Sequence, residues 1–205
     1  MKTKTIVLAF ATLFSTAVIA QTGTTTFGIR AGVNFTNITG KNEQDDNLDN
    51  KLKTGFHAGV NAEIPVGIDF YLQPGVLFTL KGSKDEVGDG KTNISYIEIP
   101  INFIYKPELG TGRLILGFGP YAAFGVDANR KNPDADIEFG DQLGERKRFD
   151  AGANLLAGYE FANRLSFQLN AGLGLVRINN RADNDKNSSA KNTGFGVSLG
   201  YRFGR

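Results

Sequence analysis

The chain has 205 residues, no cysteine and no tryptophan, and its 23 basic and 21 acidic residues give a formal charge of +2. That length fits one domain, and the missing cysteine excludes disulfides and a lipid-anchored N-terminal cysteine. Near-neutrality leaves no basic footprint for nucleic acid, so no such partner is expected.

Met1–Ala20 reads as a cleaved signal peptide. Lys2 and Lys4 precede an apolar stretch, Ile6–Ile19, and Val18-Ile19-Ala20 stands before a cut at Gln21. The stretch is interrupted by Thr12, Ser15 and Thr16 and is short of the ~20 residues a membrane helix needs. No later segment approaches that length, which excludes helical membrane insertion but not a barrel, whose strands never form a long apolar run. The expected organisation is a signal at 1–20 and one barrel domain at 21–205. Removing the signal leaves equal numbers of basic and acidic residues. All 26 glycines remain in the mature part, about twice the usual density.

In chain order, period-two alternation predicts strands near Thr26–Thr36, Lys53–Ile64, Ile68–Leu80, Ile94–Lys106, Arg113–Val126, Arg148–Phe161, Arg164–Ile178 and Thr193–Phe203. The connections alternate between long and short. Asn37–Leu52, Lys81–Asn93, Asp127–Lys147 and Asn179–Asn192 are long, whereas Pro65–Gly67, Pro107–Gly112 and Ala162–Asn163 are short. In an up-and-down antiparallel sheet, all long loops then lie at one end and all tight turns at the other, as in outer-membrane barrels. The fold class expected is all-β: an eight-stranded antiparallel up-and-down transmembrane β-barrel.

One face of these strands is apolar, for example Phe27, Ile29, Ala31, Val33 and Phe35, or Leu165, Phe167, Leu169 and Ala171. The other carries Arg30, Asn34, Asn61, Glu63, Glu98, Asn102, Asp150, Asn154, Glu160 and Arg202 among glycines. A soluble barrel would put the apolar face in its core; a membrane barrel turns it to lipid. Glycines opposite large polar residues suit a narrow lumen better than a solvated surface. Pro74, Pro100 and Pro120 fall inside strands, each removing a ladder hydrogen bond, and strand parity places all three on the lipid face.

The stretches "YIEIPINFIYKP", "GFGPYAAFGV", "RFDAGANLLAGYEF" and "FGVSLGYRF" resemble the PorT-type, porin-like outer-membrane β-barrel proteins of Gram-negative bacteria. The matching residues are Ile97–Pro100, Gly119–Tyr121 and Gly200–Phe203. The resemblance spans the mature chain and implies a barrel in the outer membrane, with Pro retained at two of the three strand positions. It departs where Gly204-Arg205 follows the terminal aromatic and where "NAGLGLVRINN" lacks the family's usual tyrosine. It implies little about activity.

Catalytic, metal and cofactor sites are not expected. His57 is the only histidine; an esterase would combine it with Ser198 or Ser166 and an acid such as Glu63, but no strained nucleophile motif is present. "DNDKN", Asp183–Asn187, begins like a calcium loop yet has Ser188 at the sixth place and Gly194 at the twelfth, where Gly and Glu are required. The strongest constellation is a lumen ion-pair network of Arg30, Arg113, Arg148 and Arg202 with Glu63, Asp69, Glu98, Asp150 and Glu160. Buried charges are tolerated only when paired, and near balance points to a closed network rather than a charge-selective channel. Arg130, Lys131, Arg146 and Lys147 form a candidate external docking surface. Expected partners are outer-membrane lipid and lipopolysaccharide, the barrel-insertion machinery through the C-terminal strand, and other envelope proteins. A narrow porin, a path for an apolar ligand, and an accessory role in protein secretion remain as alternatives.

Overall fold

The computed structural model describes residues 23–42, 44–86, 89–131, 135–140, 145–180 and 187–204. The signal segment Met1–Ala20 and most of the "DNDKN" run lie outside them. Eight long strands make the wall: β1 Thr26–Lys41, β2 Lys53–Gly67, β3 Phe70–Asp85, β4 Lys91–Tyr105, β5 Gly112–Lys131, β6 Phe149–Glu160, β7 Leu165–Gly174 and β8 Ser189–Phe203. Each pairs antiparallel with the next, and β8 returns to β1 from Phe27↔Phe203 to Lys41↔Ser189. Closure leaves no unpaired edge along the wall, the condition for a sheet in hydrocarbon. Two-residue strands at Asn50–Lys51, Glu108–Leu109 and Ala135–Asp136 extend the rims.

Polarity is inverted relative to a soluble protein. Leu199, Phe27, Leu155 and Phe118 are about 60% exposed on the outside, whereas Asp150, Asn102, Ser198 and Glu63 are at most 2% exposed inside. An apolar outer surface of this extent has no partner in water, so the leucine face meets lipid. Aromatic pairs border the band. Phe35–Phe195, Phe56–Phe78 and Phe124–Phe149 lie toward the long-loop end, and Phe70–Tyr105, Tyr159–Phe161 and Tyr201–Phe203 toward the short-turn end.

Gly152 and Gly32 sit against the backbone of the neighbouring strand, at Leu173 O and Val197 O, and also leave room for large inward side chains. A Cβ at Gly152 would lie 2.7 Å from Tyr121 Cε1, and one at Gly32 would lie 2.9 Å from His57 Cε1. The prolines correct the parity reading. Pro74 and Pro120 face outward, but Pro100 is fully buried and points into the lumen. Each sits in a two-residue gap of the ladder toward the preceding strand. The gaps lie between Asn61↔Gly75 and Ile64↔Leu72, between Pro74↔Ile101 and Leu77↔Glu98, and between Pro100↔Tyr121 and Phe103↔Phe118. The missing amide hydrogens therefore fall where the ladder is already interrupted.

Several strands run beyond their expected ends on the long-loop side: β1 to Lys41, β3 to Asp85 and β5 to Lys131. β7 instead stops at Gly174. The amides of Leu175 and Val176 both donate to Ala151 O, after which Ile178 turns inward.

Candidate functional site

Two charged layers cross the lumen, separated by a polar cavity. Near the short turns, Lys106 follows the end of β4 and points inward. Its Nζ lies 2.9 Å from Glu63 Oε2 on β2 and 2.7 Å from Glu160 Oε2 on β6. Arg202 on β8 places Nη2 2.6 Å from Glu63 Oε1 and Nε 3.5 Å from Glu160 Oε2. Gln73 Nε2 donates to Glu63 Oε1 at 3.1 Å. Two cations and two carboxylates thus close a neutral, nearly buried quartet across the barrel. Ile104, Ile115 and Leu156 form a small apolar cluster with Tyr71 packed against it.

Toward the long loops, Lys81 on β3 sits 2.7 Å from Glu98 Oε2 on β4 and 3.5 Å from Asp150 Oδ2 on β6. Its Nζ also lies 4.3 Å from the Tyr121 ring centroid and 5.4 Å from that of Tyr96. Asn192 Nδ2 donates to Asp150 Oδ2 at 2.9 Å and to the Tyr96 hydroxyl at 3.1 Å, and the Tyr121 hydroxyl donates to Asp150 Oδ2 at 3.4 Å. Asp150 is fully buried. Arg30, Asn34, His57, Glu98 and Asn102 help line a cavity of about 80 Å³, room for a few water molecules. Arg30 lines this cavity but makes no ion pair among the described residues, and its Nε and Nη1 are buried without a hydrogen-bond partner.

His57 and Ser198 meet: Nε2 to Oγ is 2.7 Å, and Ser198 Oγ donates to Asn170 Oδ1 at 2.7 Å. Ser198 Oγ thus bonds both Asn170 and the imidazole, whose donor or acceptor role depends on its tautomer. Among the described residues no carboxylate bonds to either group. Glu63 belongs to the other layer, and Ser166 accepts from Gln168 Nε2 at 3.1 Å. Ser198 is 1% exposed inside the wall, a position that an ester substrate in the bilayer does not reach.

The long loops fold over the mouth. Ile178 is fully buried with Ile38, Ile94, Tyr96 and Ala190, and Leu48, Ile137 and Phe139 pack against them. Backbone bonds from Lys147 N to Ile178 O and from Ile178 N to Ala190 O, each 2.9 Å, join two loops. Arg130 pairs with Asp85, and both help line a mouth cavity of about 460 Å³ together with Arg146. Burial, opposed by Tyr96 and reinforced by the Arg130 charge, holds the Arg146 guanidinium below its ordinary value. Lys131 is exposed and Lys147 half-buried.

Of the nine residues expected in the lumen network, Glu63, Glu98, Asp150, Glu160 and Arg202 come together in ion pairs and Arg30 lines the same cavity as Glu98. Three stand apart. Arg148 precedes β6, is exposed, and lies 5.0 Å from the Phe139 ring centroid. Asp69 occupies the β2–β3 turn with φ of 60°, its carbonyl accepting from Lys106 N. Arg113 lies at the short-turn rim, bonded to Tyr71 Oη at 2.9 Å and to Glu108 Oε1 at 3.3 Å. Glu98 is paired with Lys81 rather than with an arginine. The central cations of both layers, Lys81 and Lys106, are the residues that sequence reasoning passed over. The inward parity of Lys106 after Phe103 and Tyr105 was the available signal.

A closed eight-stranded barrel with lipid-facing leucines and a charged lumen is an outer-membrane β-barrel. The chain belongs to the family of the outer membrane protein beta-barrel domain, whose profile matches residues 19–204. No curated protein matches it. Among solved structures it is similar to Ail, the attachment invasion locus protein of Yersinia pestis, determined in complex with the heparin analogue sucrose octasulfate. That similarity has 14% identity and a TM-score of 0.46, over 88% of this chain and 100% of that one.

Proposed function

We propose that this protein is a non-enzymatic envelope barrel with a side-chain-filled lumen, which acts on other molecules through its long external loops. The observation that carries this is the pair of charge layers, Lys106/Arg202 with Glu63/Glu160 and Lys81 with Glu98/Asp150, beneath an apolar cap centred on Ile178. Buried ion pairs of this geometry are stiff because opening either layer strands charges in a low dielectric. A narrow porin, or a path for an apolar ligand, needs a route through both layers. An accessory role in secretion rests on the PorT-type motifs alone. A cleaved signal at Met1–Ala20 would deliver the chain to the periplasm, where its C-terminal strand engages the insertion machinery.

The test is swelling of proteoliposomes in iso-osmotic small sugars and amino acids. The reading expects rates equal to those of protein-free vesicles. Swelling that scales with the amount of folded protein overturns it in favour of the porin.

A further inference from the structure

Four lysines stand side by side across four adjacent strand segments of the rim. Lys51 pairs with Lys84, Lys84 with Lys91, and Lys91 with Lys131. Directly paired residues share a face. Ser83 and Thr92 point inward, and Asp85 and Arg130 line the mouth cavity, so the intervening Lys84, Lys91 and Lys131 take the outer face. Lys51, Lys91 and Lys131 are exposed and Lys84 is half-buried. At ~4.8 Å between strands the row is about 14 Å long.

None of the four has a carboxylate partner among the described residues; the one hydrogen bond is from Lys51 Nζ to Glu86 O at 2.8 Å. Asp49, Glu86 and Asp89 stand two residues from Lys51, Lys84 and Lys91 at the edge of the row, and Asp49 and Glu86 make no ion pair to it among the described residues. Asp85 is held by Arg130, and Asp127, four residues down the strand from Lys131, accepts from Asn129 at 3.3 Å. Like charges placed directly opposite one another destabilise a sheet. Four in succession make a cationic row that anions from outside the chain relieve.

Position indicates which anions. The last large outward apolar residues below the row are Leu80, Ile97 and Val126, four to six residues away. At ~3.3 Å per residue and a tilt of ~40°, the ammonium row stands about 10–15 Å above the apolar band. Ordinary phospholipid headgroups occupy only the first ~5–7 Å beyond the hydrocarbon. The geometry points to a docking surface for the phosphorylated saccharide of an outer-leaflet glycolipid, lying against β3, β4 and β5 with its phosphates on Lys51, Lys84, Lys91 and Lys131. The inference rests on the envelope reading only for which end faces outward, and a conducting lumen would leave it untouched.

The test uses the folded full-length barrel in detergent, titrated with lipopolysaccharide, with dephosphorylated lipopolysaccharide and with phosphatidylglycerol micelles. Wild type should bind lipopolysaccharide at least tenfold more tightly than either control. The variant Lys51→Gln/Lys84→Gln/Lys91→Gln/Lys131→Gln should lose at least tenfold for lipopolysaccharide alone. Equal binding of the dephosphorylated form, equal binding of phosphatidylglycerol, or a variant within twofold of wild type each overturns the proposal. Lys84→Gln alone guards against misfolding of the fourfold variant. Its urea midpoint should rise in phosphatidylcholine vesicles, where repulsion is relieved, and fall in vesicles containing lipopolysaccharide. A change of the same sign in both overturns the proposal as well.

Discussion

Replacing Glu98 by alanine should lower barrel stability by about 3 kcal/mol. Glu98 Oε2 lies 2.7 Å from Lys81 Nζ, and both side chains are little more than a tenth exposed. At an effective dielectric of ~20 the gross attraction at that distance is about 6 kcal/mol, of which desolvation offsets a large part. Truncating one member of a buried pair removes the attraction and leaves the other charge stranded, which costs about 3–5 kcal/mol. The lower end applies because Lys81 keeps Asp150 at 3.5 Å and the Tyr121 ring. The assay is urea unfolding in lipid vesicles, with the exposed loop substitution Glu138→Ala as a control expected to shift stability by about 0.5 kcal/mol or less. The double variant Lys81→Met/Glu98→Leu should not recover the loss, since it leaves the fully buried Asp150 without its ion-pair partner. A Glu98→Ala midpoint indistinguishable from that of Glu138→Ala would refute the reasoning.

Lys106→Met should destabilise by about 3–5 kcal/mol in the same assay, because Glu63 and Glu160 then share Arg202 alone. Leu199→Arg, at the middle of the outward run of β8, should lower stability in vesicles by about 2–4 kcal/mol; no loss would contradict a lipid-facing Leu199. Gly152→Val should clash with the Leu173 carbonyl on the paired strand and with Tyr121, and lose about 1–3 kcal/mol or more by the same unfolding measurement. Ser198→Ala should lose about 1–2 kcal/mol by leaving buried polar partners unpaired. Phospholipid and ester hydrolysis should stay at background for both wild type and that variant, and a serine-dependent rate would restore the esterase.

The wall was legible because lipid imposes strict alternation: Phe27 to Phe35 and Leu165 to Leu173 each keep one face apolar. The alternation of long and short connections then fixed the topology. Both signals fade where the barrel leaves the membrane, since the outer face there carries polar residues such as Lys84, Asn93 and Lys131. Lys81 was lost for that reason: the apolar pattern stops at Leu80, while the strand continues to Asp85. Lys106 reads as the last residue of its strand, before Pro107, and its inward parity was not followed to the end. Parity extended one residue too far gave Arg148 an inward place, although β6 begins at Phe149. Ile178 escaped because its burial depends on loop-to-loop bonds to Lys147 and Ala190, which no local period encodes.

The most direct test of the closed lumen is the conductance of single refolded barrels in a planar bilayer at molar salt. The two charge layers and the Ile178 cap predict no steady conductance above the bare membrane across the usual voltage range. Stable ohmic steps whose cation selectivity shifts in Glu98→Gln would contradict the account, placing Glu98 and Lys81 on the wall of a water-filled pore.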